Sequence, residues 1–448
     1  MSPPRLFGTD GVRGTAGEPP LDPATIARLG AGVVMAIPHG TRTARILVGR
    51  DTRESGSWIE QELARGARWA GAQVTSAGVV PTPAVAYLTR EMDFDAGLVI
   101  SASHNPFEDN GIKVFSGGGE KYDEDLERHV ESLVADESWS VDAAGRLSVE
   151  QRDFTSAYVA HARAAIPALA NVRGMRIALD CANGATTAVA PRLFRELGFE
   201  VDTLACEPDG RNINLGCGST HPQLLARFVK DGGHRLGVAF DGDGDRAILV
   251  THEGRVIDGD AVMLMCARRL KAQGQLRGDT VVATVMSNIG LELALRASGI
   301  ALRRTPVGDK YVAAEIAEHG FALGGEQSGH IIFADHLFTG DGIVTALSVI
   351  NVMAESGREL ADLAAELVTY PQVLVNVRVR ERRDLATVPD VAAAVAALEA
   401  RLQGQGRLLV RYSGTEPLLR IMIEGRHQDE IDGWAHDLAD LVKQHLGD

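Results

Sequence analysis

The chain has 448 residues, of which 45% are apolar and 23% charged, and its net charge is −15. That length exceeds one ordinary core and suggests about three domains at roughly 150 residues each, while the composition excludes disordered and fibrous classes. The acidic balance argues against a general nucleic-acid binder, and the lack of an apolar run of ~20 residues or of a signal-like start predicts a cytoplasmic protein with no membrane partner.

Asp22 as N-cap and Pro23 in the first turn predict an early helix, with Ile26, Leu29, Val33 and Ile37 at helical spacing. Short apolar runs then recur, each emptying into a polar, Gly-rich loop and followed by a helical pattern. They lie at 45–48, before Gly49-Arg-Asp; at Ala96–Ile100, before Ser101-Ala-Ser-His-Asn-Pro; and at 175–179, before Asp180-Cys-Ala-Asn-Gly. Leu236–Phe240 precedes Asp241-Gly-Asp-Gly-Asp-Arg, and runs at 280–285 and 321–323 precede Gly324-Gly-Glu-Gln-Ser-Gly-His. This punctuation predicts three α/β units whose loops sit at the carboxyl ends of strands. Polar segments 135–152 and 251–260, and later Pro371, read as joints. Beyond Pro371 the valines at 373, 375, 377 and 379 alternate with other residues as in a strand. A helix at 390–402, two strands around Ser413-Gly-Thr-Glu-Pro and a final helix at 430–446 then predict a small α+β domain. Cys181, Cys206, Cys217 and Cys266 form no C-x-x-C pair, which predicts free thiols.

Ser103 follows a buried-looking strand in a loop that Pro106 prevents from continuing as strand or helix. A lone serine there is usually a plain turn residue, and the G-x-S-x-G elbow of a serine hydrolase is absent. In an extended loop the adjacent His104 side chain leaves on the opposite side, so His104 is expected to be poorly placed as a base for Ser103. Asp241, Asp243 and Asp245, separated by single glycines, converge at period two. Three carboxylates that close call for a cation, and oxygen-only ligands favour magnesium or calcium. An EF-hand is excluded, because its sixth and twelfth positions would be Arg246 and His252; a solvated acidic turn is the plainer alternative. Glu326, Ser328 and His330 place a carboxylate, a hydroxyl and an imidazole on one Gly-rich loop, which by itself reads as a turn. Arg411, Ser413, Gly414 and Thr415, with Arg420 beyond, have the composition of a phosphate clamp; surface arginines are the alternative. No dinucleotide fingerprint or Walker loop is present.

Taken in order, Leu6-Phe-Gly-Thr-Asp-Gly-Val-Arg-Gly14, Ser101-Ala-Ser-His-Asn-Pro106, Asn212-Ile-Asn214, Cys217-Gly-Ser-Thr-His-Pro222 and the 241–246, 325–330 and 411–417 loops resemble the α-D-phosphohexomutase superfamily over nearly the whole chain. The resemblance implies three related α/β domains and a smaller C-terminal α+β domain around a central cleft, here 1–150, 151–257, 258–371 and 372–448. It implies a phosphoserine at Ser103 and one Mg2+ per chain, held by that phosphate with Asp241, Asp243 and Asp245. Arg246 would lie near the transferring phosphoryl group, Lys113 would serve proton transfer, and His104 would orient a phosphate or a neighbouring loop. Thr9 and Arg13 fall in the N-terminal active-site loop. Glu326, Ser328 and His330 fall in the sugar loop, and Arg411, Ser413, Gly414, Thr415 and Arg420 at the phosphate-binding loop.

The implied partner is a small-molecule phosphosugar, and a homodimer is compatible with the resemblance. Gln327 resembles the branch that interconverts glucosamine 6-phosphate and glucosamine 1-phosphate through a 1,6-bisphosphate, feeding UDP-N-acetylglucosamine and cell-wall synthesis. Rival readings are a phosphomannomutase/phosphoglucomutase of the same superfamily and a non-catalytic phosphosugar- or cation-binding protein. Intact Ser103 and all three aspartates argue against the last.

Overall fold

The structure is a computed structural model that describes residues 5–38, 40, 42–142, 149–164, 172–402, 404–413 and 417–447. The chain divides into two compact units, Met1–Met286 with Gly299–Glu366, and Ser287–Ser298 with Leu367–Asp448.

The first unit carries three sheets. The first is seven-stranded, built from β1 (Phe7–Gly8), β2 (Gly11–Thr15), β3 (Arg45–Arg50), β4 (Gln73–Val79), β5 (Ala96–Ile100), β6 (Asp109–Ser116) and β7 (Glu150–Gln151), in the order β1-β2-β6-β5-β3-β4-β7. Helix Pro23–Ala36 begins where the sequence predicts, with the Asp22 carboxylate accepting from the N–H groups of Ala24 and Thr25. Its Ile26, Leu29 and Val33 join Ile46, Val48, Leu98 and Ile100 in one apolar core.

The second sheet has β8 (Arg176–Asp180), β9 (Glu200–Leu204), β10 (Leu236–Phe240), β11 (Ala247–Thr251) and β12 (Val256–Ile257), in the order β12-β11-β10-β8-β9. The third has β13 (Thr280–Thr284), β14 (Ala301–Thr305), β15 (Leu323–Gly325) and β16 (Ile331–Phe333), in the order β14-β13-β15-β16. Every residue of β5 and of β10 is buried, as expected of central strands covered on both faces.

Several element expectations are corrected. The segments at 135–152 and 251–260 are not joints alone, because β7 pairs with β4 and β12 with β11. β15 starts at Leu323 rather than Phe321, since Gly320 ends the preceding helix in the left-handed conformation and the Phe321 N–H is taken by the Ile316 carbonyl. Each α/β sheet also holds antiparallel pairing, of β5 with β6, β10 with β11 and β15 with β16, on which the residue pattern alone makes no statement.

The second unit is a three-stranded antiparallel sheet of β17 (Gln372–Arg378), β18 (Arg407–Tyr412) and β19 (Leu418–Glu424), in the order β17-β19-β18. Val377, Leu419, Ile421 and Ile423 meet Val391 of helix Pro389–Leu402 and Ile431, Leu438 and Val442 of helix Gln428–Leu446 in its core. Helix Ile289–Ala297 groups with this unit, although in sequence it lies between β13 and β14. Its backbone explains why: the Ile289 N–H donates to buried Glu424 at 3.1 Å, and a Cβ on Gly290 would lie 2.0 Å from the Val368 carbonyl oxygen. The four cysteines are free.

Candidate active site

Three of the loops singled out in the sequence occupy equivalent places. Residues 101–108 join β5 to β6, 241–246 join β10 to β11, and 326–330 join β15 to β16, each as the turn of an antiparallel hairpin, while Ser413 directly follows β18, which pairs antiparallel with β19. A hairpin tip projects side chains beyond the sheet while its two stems fix their register.

Ser103 is 1% exposed and has φ of +51°, a left-handed conformation that few side-chain-bearing residues adopt. Its hydroxyl donates to Asp241 Oδ2 at 2.5 Å, and its N–H donates to Ser101 Oγ at 2.9 Å. The left-handed turn also overturns the expectation for His104. The loop is not extended here, so the two neighbouring side chains do not diverge, and His104 Nδ1 lies 3.2 Å from Ser103 Oγ. The same nitrogen lies 3.0 Å from Arg246 Nη1. Desolvation and the Arg246 charge lower the pKa of this imidazole, which suits a neutral ring accepting from the guanidinium.

Asp241, Asp243 and Asp245 are 0%, 1% and 2% exposed, and one carboxylate oxygen of each lies within 4.8 Å of the others. Gly242 and Gly244 permit this crowding. A Cβ on Gly242 would lie 2.5 Å from the Ser103 carbonyl oxygen, and Gly244 has φ of +74°. Thr82 Oγ1 donates to Asp243 Oδ2 at 2.6 Å, but Asp243 Oδ1 and Asp245 Oδ1 are buried without a hydrogen-bond partner. Buried, convergent carboxylate oxygens with unused lone pairs fit a hard divalent cation, so the triad can hold a metal ion.

Lys113, on β6, is fully buried. Its ammonium lies 2.9 Å from Asp243 Oδ2, 2.9 Å from Asp245 Oδ2 and 3.2 Å from Asp10 Oδ2. Burial alone would strip its charge, but Asp10, Asp243 and Asp245 outweigh that and hold its pKa well above the ordinary value. The aspartates split accordingly. Burial and the neighbouring Asp245 and Asp243 charges push Asp241 up, whereas for Asp245 the Lys113 charge overcomes burial and brings it down.

The ion network extends further than the sequence indicated. Asp10 Oδ2 also pairs with Arg13 Nη2 at 2.5 Å, and Asp10 Oδ1 with Lys121 Nζ at 2.6 Å. Lys121 in turn pairs with Asp309, which lies 3.2 Å from His330 Nε2. Burial works against a charged His330, and the Asp309 contact outweighs it and raises the imidazole pKa. His330, named from the sequence among sugar contacts, is thus 1% exposed and engaged by Asp309, whereas Glu326 is half-buried and Ser328 exposed on the same loop. Glu326 accepts from the Gly308 N–H at 3.2 Å. Thr9 is exposed in the turn between β1 and β2, and Arg13 is half-buried on β2.

In the second unit Arg411 and Arg420 stand directly opposite each other on β18 and β19, and Arg420 Nη2 reaches Ser413 Oγ at 3.5 Å. Desolvation and the Arg420 charge lower the pKa of Arg411. Two facing guanidiniums destabilise a bare strand pair and favour an anion beside them. Gly414 and Thr415 lie outside the described residues. Sequence reading missed Asp10, Lys121 and Asp309, and it gave no role to Arg53 or Asn214. Asp10 and Asn214 stand inside motifs already noted, and Arg53 follows the Gly49-Arg-Asp loop; Lys121 and Asp309 carry no local signal.

Comparison with known proteins bears on this arrangement. The phosphoglucomutase/phosphomannomutase family models match along the chain: α/β/α domain I at residues 4–140, domain II at 156–254, domain III at 258–370 and the C-terminal domain at 374–441. The chain is 47% identical over 446 residues to a phosphoglucosamine mutase of Solibacter usitatus, covering 99% of each. It is 46% identical over 450 residues to one of Syntrophotalea carbinolica, covering 99% of this chain and 98% of the relative. Among solved structures, a phosphoglucomutase/phosphomannomutase family protein of Burkholderia thailandensis aligns with a TM-score of 0.81 at 25% identity, over 99% of this chain and 98% of the other. N-acetylphosphoglucosamine mutase of Aspergillus fumigatus, solved with GlcNAc-6P and magnesium, shares the fold with a TM-score of 0.69 at 19% identity, over 98% of this chain and 95% of the other.

Proposed function

The chain belongs to the phosphoglucomutase/phosphomannomutase family and, within it, to the phosphoglucosamine mutases, and from that membership we propose how its residues carry the isomerase reaction. The substrate pair is glucosamine 6-phosphate and glucosamine 1-phosphate, and Ser103 is the phosphoryl carrier. The O1 hydroxyl of glucosamine 6-phosphate attacks the phosphorus on Ser103, the P–Oγ bond breaks, and the proton from O1 passes to a nearby base. The resulting 1,6-bisphosphate turns over and returns its 6-phosphate to Ser103, releasing glucosamine 1-phosphate.

The observation that carries this reading is the 2.5 Å contact between Ser103 Oγ and Asp241, at the edge of a buried triad with unused oxygens. Asp241, Asp243 and Asp245, with the Ser103 phosphate, would hold Mg2+, which when bound spreads the negative charge of the phosphoryl group. Arg246, whose guanidinium reaches His104 beside Ser103, would stabilise the same charge. Lys113 would exchange a proton with the reacting oxygens, Thr9 and Arg13 would contact the substrate, and His104 would orient the phosphate. Glu326, Ser328 and His330 belong to the sugar loop, and Glu326 supplies a carboxylate for the 2-amino group. Arg411, Ser413, Gly414, Thr415 and Arg420 take the phosphate that is not reacting. No helix among the described residues is long and apolar enough to cross a membrane, and a cytoplasmic enzyme acting on a phosphosugar fits this chemistry.

A coupled assay on one phosphorylated preparation tests the sugar assignment. Catalytic efficiency with glucosamine phosphate should exceed that with glucose or mannose phosphate by at least about tenfold, a difference of ~1.4 kcal/mol in transition-state binding. Equal or reversed efficiencies would reject glucosamine and leave a phosphohexomutase of other specificity.

A further inference from the structure

The Ser103 carbonyl is held as firmly as its hydroxyl. Arg53 is 1% exposed, and its Nη2 donates to the Ser103 carbonyl at 3.0 Å and to that of Asn105 at 2.9 Å, while Nη1 donates to that of Pro106. Its Nε pairs with Asp51 at 2.9 Å. Asp51 Oδ2 accepts from Ser101 Oγ at 2.5 Å, and Ser101 Oγ accepts from the Ser103 N–H. From the other side, Asn214 Nδ2 donates to the Ser103 carbonyl at 2.8 Å and to that of Asn105 at 3.1 Å. Gly242 closes against the same carbonyl oxygen, leaving no room for a Cβ.

The peptide groups on the two sides of the Ser103 Cα are therefore both fixed, the carbonyl one by three separate stretches of chain. A turn of three carbonyls all pointing at one guanidinium is not one that a serine at φ +51° would keep unaided. With the N–H on one side of the Cα and the carbonyl on the other both held, φ and ψ of Ser103 are set, and with them the Cα–Cβ direction that aims Oγ at Asp241.

We infer that Arg53 and Asn214 are positioning residues: together they hold the Ser103 carbonyl so that the phosphoryl-carrying oxygen stays aimed at the aspartate triad. This rests on Ser103 being the carrier. Neither side chain touches the sugar in this scheme, so their loss should act on the chemical step rather than on substrate affinity.

Two substitutions separate positioning from folding. Asn214→Gly removes only the amide, because Asn214 itself has φ of +58°, a conformation glycine adopts freely. Arg53→Lys keeps the charge opposite Asp51, but one ammonium cannot span three carbonyls. The full-length variants would be phosphorylated with a hexose 1,6-bisphosphate in Mg2+ and assayed with glucosamine 6-phosphate. Each should lose about tenfold or more in kcat with KM changed by less than about twofold, and the double variant should lose less than the product of the two because both act on one carbonyl. The melting temperature of Asn214→Gly should stay near that of the parent. A kcat within about twofold of the parent in Asn214→Gly, or losses in kcat that only track a lowered melting temperature in both variants, would overturn the inference and leave Ser103 as carrier. Intact-protein mass spectrometry of the parent is the separate arm: a phosphate found away from Ser103 removes the carrier assignment and this inference with it.

Discussion

The serine-and-aspartate cluster of the first unit and the arginine loop of the second handle charge in opposite ways. In the first, Ser103, Lys113, Asp241, Asp243 and Asp245 are nearly or wholly out of solvent, and Lys113 supplies an opposite charge to Asp243 and Asp245. In the second, Arg411 and Arg420 are half-exposed and face a like charge across the strand pair. Buried ions are tolerated only when paired and hydrogen-bonded, so the first arrangement is costly to disturb and suited to a reaction that needs fixed geometry. Half-exposed guanidiniums remain hydrated and can take up or release an anion at little cost, which suits binding rather than chemistry.

Substitutions can break that contrast, beginning where the effect is largest. Ser103→Ala should abolish the phosphoprotein and lower kcat by about a thousandfold or more, with the fold kept; intact mass and steady-state rates measure both, and near-normal turnover would end the carrier assignment. Asp243→Asn removes one charge at nearly constant volume and should lower kcat by about a hundredfold while raising the Mg2+ concentration needed for half-activity. A magnesium titration with the parent's midpoint would take the triad out of metal binding. Arg411→Gln should behave differently, raising KM for the sugar phosphate about tenfold with kcat within about threefold. If kcat fell instead, the second unit would share in the chemistry and the contrast would fail.

The smallest effect concerns a half-buried imidazole held neutral by its surroundings. His161 stacks on Tyr87 with ring centroids 3.9 Å apart, and its Nε2 is buried without a hydrogen-bond partner among the described residues. Desolvation, with His336 and Arg90 nearby, lowers its pKa from 6.5 to about 4. The folded value lies below the unfolded one, so the stability it permits is complete above pH 6.5 and is lost as pH falls toward 4. Over that interval the parent should lose about 1–2 kcal/mol more stability than His161→Phe, after allowance for partial solvent screening. Urea melts of both proteins at pH 7 and pH 4 give that difference, and parallel losses would show that the ring is not charged on acidification.

Much of the local structure was legible from residue pattern alone. Asp22 and Pro23 marked a helix start, uninterrupted apolar runs marked β5 and β10, and alternating valines marked β17. The acidic triplet was visible for the same reason: its three carboxylates are neighbours in sequence, and their mutual repulsion is a local fact. Motif order along the chain likewise pointed to the family. These signals survive because helical period, strand period and turn chemistry act over a few residues.

What tertiary structure decided depends on partners far apart in the chain. No pattern near residue 121 announces that Lys121 will meet Asp10 and Asp309, and none near residue 53 that Arg53 will gather the carbonyls of Ser103, Asn105 and Pro106. The direction of His104 turned on one dihedral angle of Ser103, which Arg53, Asn214 and Gly242 enforce from elsewhere. The antiparallel pairing of β6, β11 and β16 was equally hidden, since an apolar strand carries the same local pattern whichever way its neighbour runs. Closing long loops brings these groups together, and only their mutual burial makes each charge worth pairing.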